Sequence, residues 1–188
     1  MKTITRFAVL ALLPIVSACA GGIQVLDPIN TQLYTEDDFY YAARNGEITT
    51  RVGDNPFGGP SAHFAEMVTD HMYGANLGGD VVFTPSPQGP GSGRYHVVML
   101  FNPPINSDEE DLCAKNARFP TVPAIDTLRL VSVFCYKDTL LSTATGQVSG
   151  VHSPRAPQFR DLVRQVTLAL FPAHDNLDIG GDDETQTN

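Results

Sequence analysis

Residues 94–102 read Arg94-Tyr95-His96-Val97-Val98-Met99-Leu100-Phe101-Asn102. In an extended chain successive side chains point to opposite faces. Tyr95, Val97, Met99 and Phe101 therefore share one face, and His96, Val98 and Leu100 the other. Both rows are apolar except for His96, which predicts a central strand covered on both sides. Pro103-Pro104 ends the run, because proline cannot donate to a strand ladder. Leu128 to Lys137, LRLVSVFCYK, is a second strand of the same kind. Lys137-Asp138 reads as a hairpin turn into a third strand, Thr139 to Val148. Ser142, Thr143 and Thr145 make that strand more polar and place it nearer a sheet edge. The segment 103–126 between the first two strands is too long for a tight hairpin. It carries the acidic run Asp108-Glu109-Glu110-Asp111, read as a solvated loop.

Helical periodicity flanks this strand set. Between Ser61 and Tyr73, the residues Phe64, Met67, Val68, His71 and Met72 recur at helical spacing and form one apolar stripe. Pro60 suits the entry to a helix and Gly74 its exit. Pro157 to Phe171 is a second amphipathic helix. Phe159, Leu162, Val163, Val166, Leu170 and Phe171 line one face, and Arg160, Asp161, Arg164 and Gln165 the other. Val81 to Thr84 is a short strand, and Pro85 to Gly93 a flexible turn. Residues 36–52 allow two readings. Asn45-Gly46 is a strong turn signal between the strand-like Phe39-Tyr40-Tyr41 and Ile48–Val52, which gives a hairpin. A short helix from Glu36 to Arg44 followed by one strand is the competing reading. The sum is an α+β fold, a mainly antiparallel sheet with two amphipathic helices on one face.

The 188 residues include 12 basic and 21 acidic side chains, for a formal net charge of −9. A chain of that sign repels nucleic acid, so no nucleic-acid partner is expected. With 16 glycines and 14 prolines, much of the chain must be loop. The final stretch from Ala173 is acidic and is expected to be disordered. Its Asp175, Asp178, Asp182, Asp183 and Glu184 do not have the spacing of a calcium loop.

The first nineteen residues, MKTITRFAVLALLPIVSAC, decide where the protein is expected to reside. Lys2 and Arg6 form a positive start. Phe7 to Val16 is apolar and too short to span a bilayer. Val16-Ser17-Ala18-Cys19 follows, and the whole resembles the signal peptide and lipobox of bacterial lipoproteins. The resemblance implies cleavage before Cys19, acylation of its thiol and new amino group, and a protein held by lipid in the cell envelope. Small side chains at Ser17 and Ala18 suit the cleavage subsites. Ala20, in place of the aspartate associated with inner-membrane retention, points toward the outer membrane facing the periplasm. Loss of Lys2 and Arg6 would make the mature chain two charges more acidic. Four segments are then expected: residues 1–18 as signal peptide, 19–35 as lipidated cysteine and flexible tether, 36–172 as one domain, and 173–188 as the acidic tail.

With Cys19 lipidated, Cys113 and Cys135 remain as a candidate disulfide in an oxidising compartment. Two buried free thiols are the alternative. No cofactor and no metal ligand set is expected. His63 and Glu66 lie on one side of the first amphipathic helix with Asp70, but without a third or fourth ligand in view. His71 and His96 read as packed core histidines. Gly146-Gln147-Val148-Ser149-Gly150 has its serine one place late for a nucleophile elbow. Gly89–Gly93 lacks the lysine and following helix of a phosphate loop. Two functions follow from this reading. The first is a non-enzymatic accessory or protein-interaction module. The second is a periplasmic ligand-binding protein or hydrolase using His63, Glu66 or His96.

Overall fold

The computed structural model describes residues 22–26, 29–31, 33–76, 80–88, 94–104, 107–115, 117, 120–123 and 126–172. The expected signal peptide, Cys19, the Gly89–Gly93 stretch and the acidic tail lie outside the described residues. The strands are β1 (Gln24–Val25), β2 (Ile29–Asn30), β3 (Glu47–Val52), β4 (Val82–Thr84), β5 (Tyr95–Phe101), β6 (Thr127–Tyr136) and β7 (Thr139–Ser149). The helices are α1 (Glu36–Ala43), α2 (Ser61–Met72) and α3 (Pro157–Leu170), with a 3-10 turn at Glu110–Cys113. The class is α+β, as the periodicity implies.

The strands form one sheet in the order β1-β7-β6-β5-β3-β4, with β2 also paired to β7. The expected antiparallel run is present in β5-β6-β7, joined by the Lys137-Asp138 turn. The sheet is nevertheless mixed, because β3 runs parallel to both β4 and β5. A parallel pair needs a crossover, and α2 supplies it between β3 and β4.

Residues 36–52 resolve to the helix-and-strand reading. Glu36, Asp37 and Asp38 occupy the first turn of α1, where carboxylates suit the positive end of the helix dipole. The Asp38 carboxylate accepts from the Thr35 backbone N–H at 2.8 Å and from the Tyr95 hydroxyl at 2.9 Å. Gly46, at φ 78°, ends the helix in the left-handed conformation that glycine adopts cheaply. Asn45-Gly46 is therefore a helix exit, not a hairpin turn.

The stretch expected as a tether is also more ordered than expected at its far end. Its β1 and β2 pair with β7, at Gln24↔Gln147 and Ile29↔Thr143. A bare β7 edge would present unpaired backbone groups, and these short pairings satisfy part of it. The polar composition of β7 thus has other causes than a free edge. Ser142 is buried, and its hydroxyl donates to the Leu170 carbonyl at 2.7 Å, an acceptor left over at the end of α3.

One core cluster lies between the sheet and the helices. Val97, Met99 and Phe101 of β5 and Leu128, Leu130 and Phe134 of β6 meet Phe64, Val68 and Met72 of α2. Phe159, Leu162, Val163, Val166 and Leu170 of α3 complete it, each fully buried. Each such side chain contributes about 1.5–3 kcal/mol by leaving water. Gly146 lets α3 sit this close: a Cβ there would lie 2.6 Å from Val166 Cγ2 and 2.8 Å from Leu162 Cδ1. Gly146→Ala is therefore expected to destabilise the fold by about 1–3 kcal/mol through overpacking, read as a lower denaturation midpoint at unchanged slope.

The opposite face carries a smaller cluster of Val98, Leu100, Val131, Val133 and Cys135, covered by Leu112 and Cys113 of the 3-10 turn. A disulfide joins Cys113 to Cys135, with Cα atoms 5.6 Å apart. The acidic run is thus not simply a solvated loop. Glu110 and Asp111 begin the turn that brings Leu112 and Cys113 down onto the sheet.

Candidate ligand-binding cleft

Cross-strand pairing sets Thr49 of β3 beside His96 of β5, and His96 beside Cys135 of β6. Directly paired residues share a face. These three therefore form a row on the disulfide side of the sheet, away from the helices. Arg51 lies two positions beyond Thr49 in β3, so the period of two keeps it on that side, while Arg94 just before β5 and Lys137 in the turn after β6 border the same cleft from its end. Arg94 and Lys137 are also held together by a backbone hydrogen bond from the Lys137 N–H to the Arg94 carbonyl. The 3-10 turn brings in Lys115 from the loop side, and the Lys115 backbone N–H donates to the Asp138 carboxylate at 3.1 Å.

The result is a cleft of about 480 Å³ lined by Thr49, Arg51, Arg94, His96, Cys113, Lys115, Lys137 and Asp138. Four cationic side chains and one carboxylate line it, in a chain whose net charge is strongly negative. Arg51 braces one wall: its guanidinium donates to the carbonyls of Ala114 at 3.1 Å and Ala117 at 3.5 Å. Burial lowers its pKa. Among the described residues, Arg94, Lys115 and Lys137 have no salt-bridge partner. Lys137 lies over the Tyr136 ring, 5.3 Å from its centroid.

His96 is the buried member of this set, 6% exposed. Burial pushes its pKa down to about 4, and Arg51 pushes the same way. Asp138 and a hydrogen bond to the Cys113 backbone oppose them. The imidazole is therefore neutral at pH 7. Nε2 has no hydrogen-bond partner. Thr49 Oγ1, on the same cleft, is likewise buried without a partner. An unpaired buried polar atom costs about 1–3 kcal/mol. The two residues that carry these atoms both belong to the cleft lining.

The burial of His96 has a pH consequence. Its folded pKa is below its unfolded value, so the unfolded chain binds the proton more readily. Stability is full above about pH 6.5 and is lost progressively as the pH falls toward 4. His71 is lowered by burial as well and acts in the same direction. Thermal melts at neutral and acid pH are expected to show this loss, and His96→Phe is expected to reduce it without abolishing it.

The histidines and glutamate singled out from sequence do not form one site. His63 and Glu66 approach to 3.8 Å on the outer side of α2, both largely exposed. His96 lies across the sheet from them. Among the described residues, no group of three or more His, Cys, Asp or Glu is placed to hold a metal ion. His71 packs edge-on to Phe159 at 5.9 Å and hydrogen-bonds to the Pro154 backbone, as a core histidine does. Sequence reading missed the cleft's cations, since Arg51, Arg94, Lys115 and Lys137 share no local motif. His96, the one break in the two apolar rows of the strand, was the available signal.

No family model matches the chain, and neither a curated protein nor a solved structure matches it.

Proposed function

We propose that this protein is a lipid-anchored lipoprotein of the bacterial cell envelope. In this reading it works as a non-enzymatic accessory or interaction module on the periplasmic side of the outer membrane. The anchor is Cys19, in the segment Val16-Ser17-Ala18-Cys19. Buried methylenes contribute about 0.8 kcal/mol each, and a single chain holds only marginally, so the multiple acylation of a lipoprotein cysteine suits stable attachment.

The structural observation that carries the reading is the Cys113–Cys135 disulfide. Such bonds form and persist in oxidising compartments and are rare in a reducing cytosol. It accounts for two of the three cysteines and leaves Cys19 for lipid. A binding role is supported by the chemistry of the cleft, where cations and a neutral imidazole surround sulfurs already joined to each other. That set is suited to holding an anion.

The test is intact-mass analysis of the protein from membranes of its host, beside Cys19→Ala. A mass of residues 19–188 plus lipid, lost in the variant, is the expected result. An unlipidated species in the soluble fraction would overturn the anchor. Crosslinking in membranes then tests the accessory role, with a stable envelope partner expected.

A further inference from the structure

We propose that the cleft on the disulfide face binds a small organic polyanion, a molecule that gathers two or three negative charges close together. This rests on the binding role proposed above and not on the anchor. Arg94 and Lys137 stand at the same end of the β5–β6 pair, one residue past Tyr95↔Tyr136, and the Lys137 N–H donates to the Arg94 carbonyl. Asp138 follows Lys137 and accepts from the Lys115 backbone N–H at 3.1 Å. The same Ala114–Lys115 peptide offers its carbonyl to the Arg51 guanidinium, also at 3.1 Å. Two hydrogen bonds to one peptide thus link Arg51 to the turn that carries Lys137. All four cations line one cavity of about 480 Å³, within the range of small-ligand sites.

Charge balance sets the class of ligand. Four cationic side chains against one carboxylate, Asp138, leave an excess of three positive charges in the lining. Like charges gathered in one cleft repel one another, and low-dielectric walls strengthen the effect. Among the described residues, no salt bridge relieves Arg94, Lys115 or Lys137. The Lys137 ammonium rests over the neutral Tyr136 ring. Lys137 also holds a left-handed backbone, φ 52°, where glycine or asparagine would cost less. A monoanion offsets one of the three excess charges. A ligand with two or three charges offsets most or all of them, and its oxygens accept from several arginine and lysine donors at once. Affinity therefore rises with the charge of the ligand. The mass test above decides the fate of Cys19 and the titration below decides the cleft, so the two fail independently.

The experiment is calorimetric titration of the full-length protein at pH 7.5 and fixed ionic strength with acetate, succinate and citrate, which carry one, two and three charges. Saturable binding of succinate and citrate is expected, with affinity rising about tenfold for each added charge and acetate weakest. Glycerol phosphate holds the charge of succinate on a single group. Tighter binding than succinate assigns the site to a phosphorylated ligand, and weaker binding to a polycarboxylate. Arg94→Gln with Lys137→Gln is expected to weaken citrate by about tenfold or more at a nearly unchanged melting temperature. Asp138→Asn removes the opposing charge and keeps an oxygen to accept from Lys115, so citrate is expected to bind more tightly, a gain that structural damage would not produce. Arg160→Gln, in α3 on the other side of the sheet, is the control and should leave binding unchanged. Should the Arg94/Lys137 variant not fold, the charge series and Asp138→Asn still decide. Absence of saturable citrate binding, equal affinity across the series, no gain in Asp138→Asn, or an equal loss in Arg160→Gln would overturn the proposal.

Discussion

Replacing Phe159 with alanine is expected to destabilise the protein by about 3–5 kcal/mol, a third or more of the stability of a typical domain. The ring is fully buried where α2, α3 and the sheet meet. It stacks on Phe101 of β5 with centroids 5.3 Å apart, meets Phe57 edge-on at 5.8 Å, and lies 5.9 Å from Phe64 of α2. Each aromatic contact adds about 0.5–1.5 kcal/mol beyond the apolar area buried. These neighbours belong to three separate segments, so the cavity left by alanine cannot close by one element shifting. Chemical denaturation should show a lower midpoint, and thermal melting a fall on the order of 10 °C. Phe159→Leu keeps most of the volume and should lose much less. A loss under about 1 kcal/mol for the alanine variant would contradict the docking of α3 described above.

The second large effect is expected from the disulfide. Cys113→Ala combined with Cys135→Ala should cost about 3 kcal/mol, since the bond closes a loop of this length in the unfolded chain. The damage should be local as well as global. Leu112 and Cys113 are the cover over Val98, Leu100, Val131 and Val133, and the segment just beyond them accepts the Arg51 hydrogen bonds. Without the bond, the turn at Glu110–Cys113 is held by that small apolar patch, by Arg51 and by the Lys115–Asp138 hydrogen bond. Hydrogen exchange should therefore rise first in residues 110–117, with the core between sheet and helices still protected. Reductant should reproduce the effect in the native protein. If exchange were instead to rise uniformly, the turn would be an integral part of the main core, contrary to its position here.

Much of the fold was legible because its signals are local. The runs at Ser61–Met72 and Pro157–Leu170 carry the helical period, and those at Tyr95–Phe101 and Thr127–Tyr136 carry the period of two, in each case within a residue or two of the observed limits. Residues 36–52 were ambiguous for a physical reason. Phe39-Tyr40-Tyr41 favours a strand by composition, whereas the acidic first turn and Gly46 favour a helix, and the burial of Phe39 against Phe171, 4.8 Å away, fits the helix. No local pattern could report that contact, because it joins residues at opposite ends of the domain. The parallel course of β3 and the pairing of β1 and β2 with β7 were hidden in the same way.

The α+β class, the helices, the central strands and the lipobox-like start are written along the chain, since each depends on near neighbours, and the candidate cysteine pair follows once Cys19 is set aside. Only the tertiary structure decided which cations share a cleft. Arg51, Arg94, Lys115 and Lys137 meet because strand register and one disulfide place them together. Register follows from burying whole faces at once, a property of the packed sheet that no short segment contains.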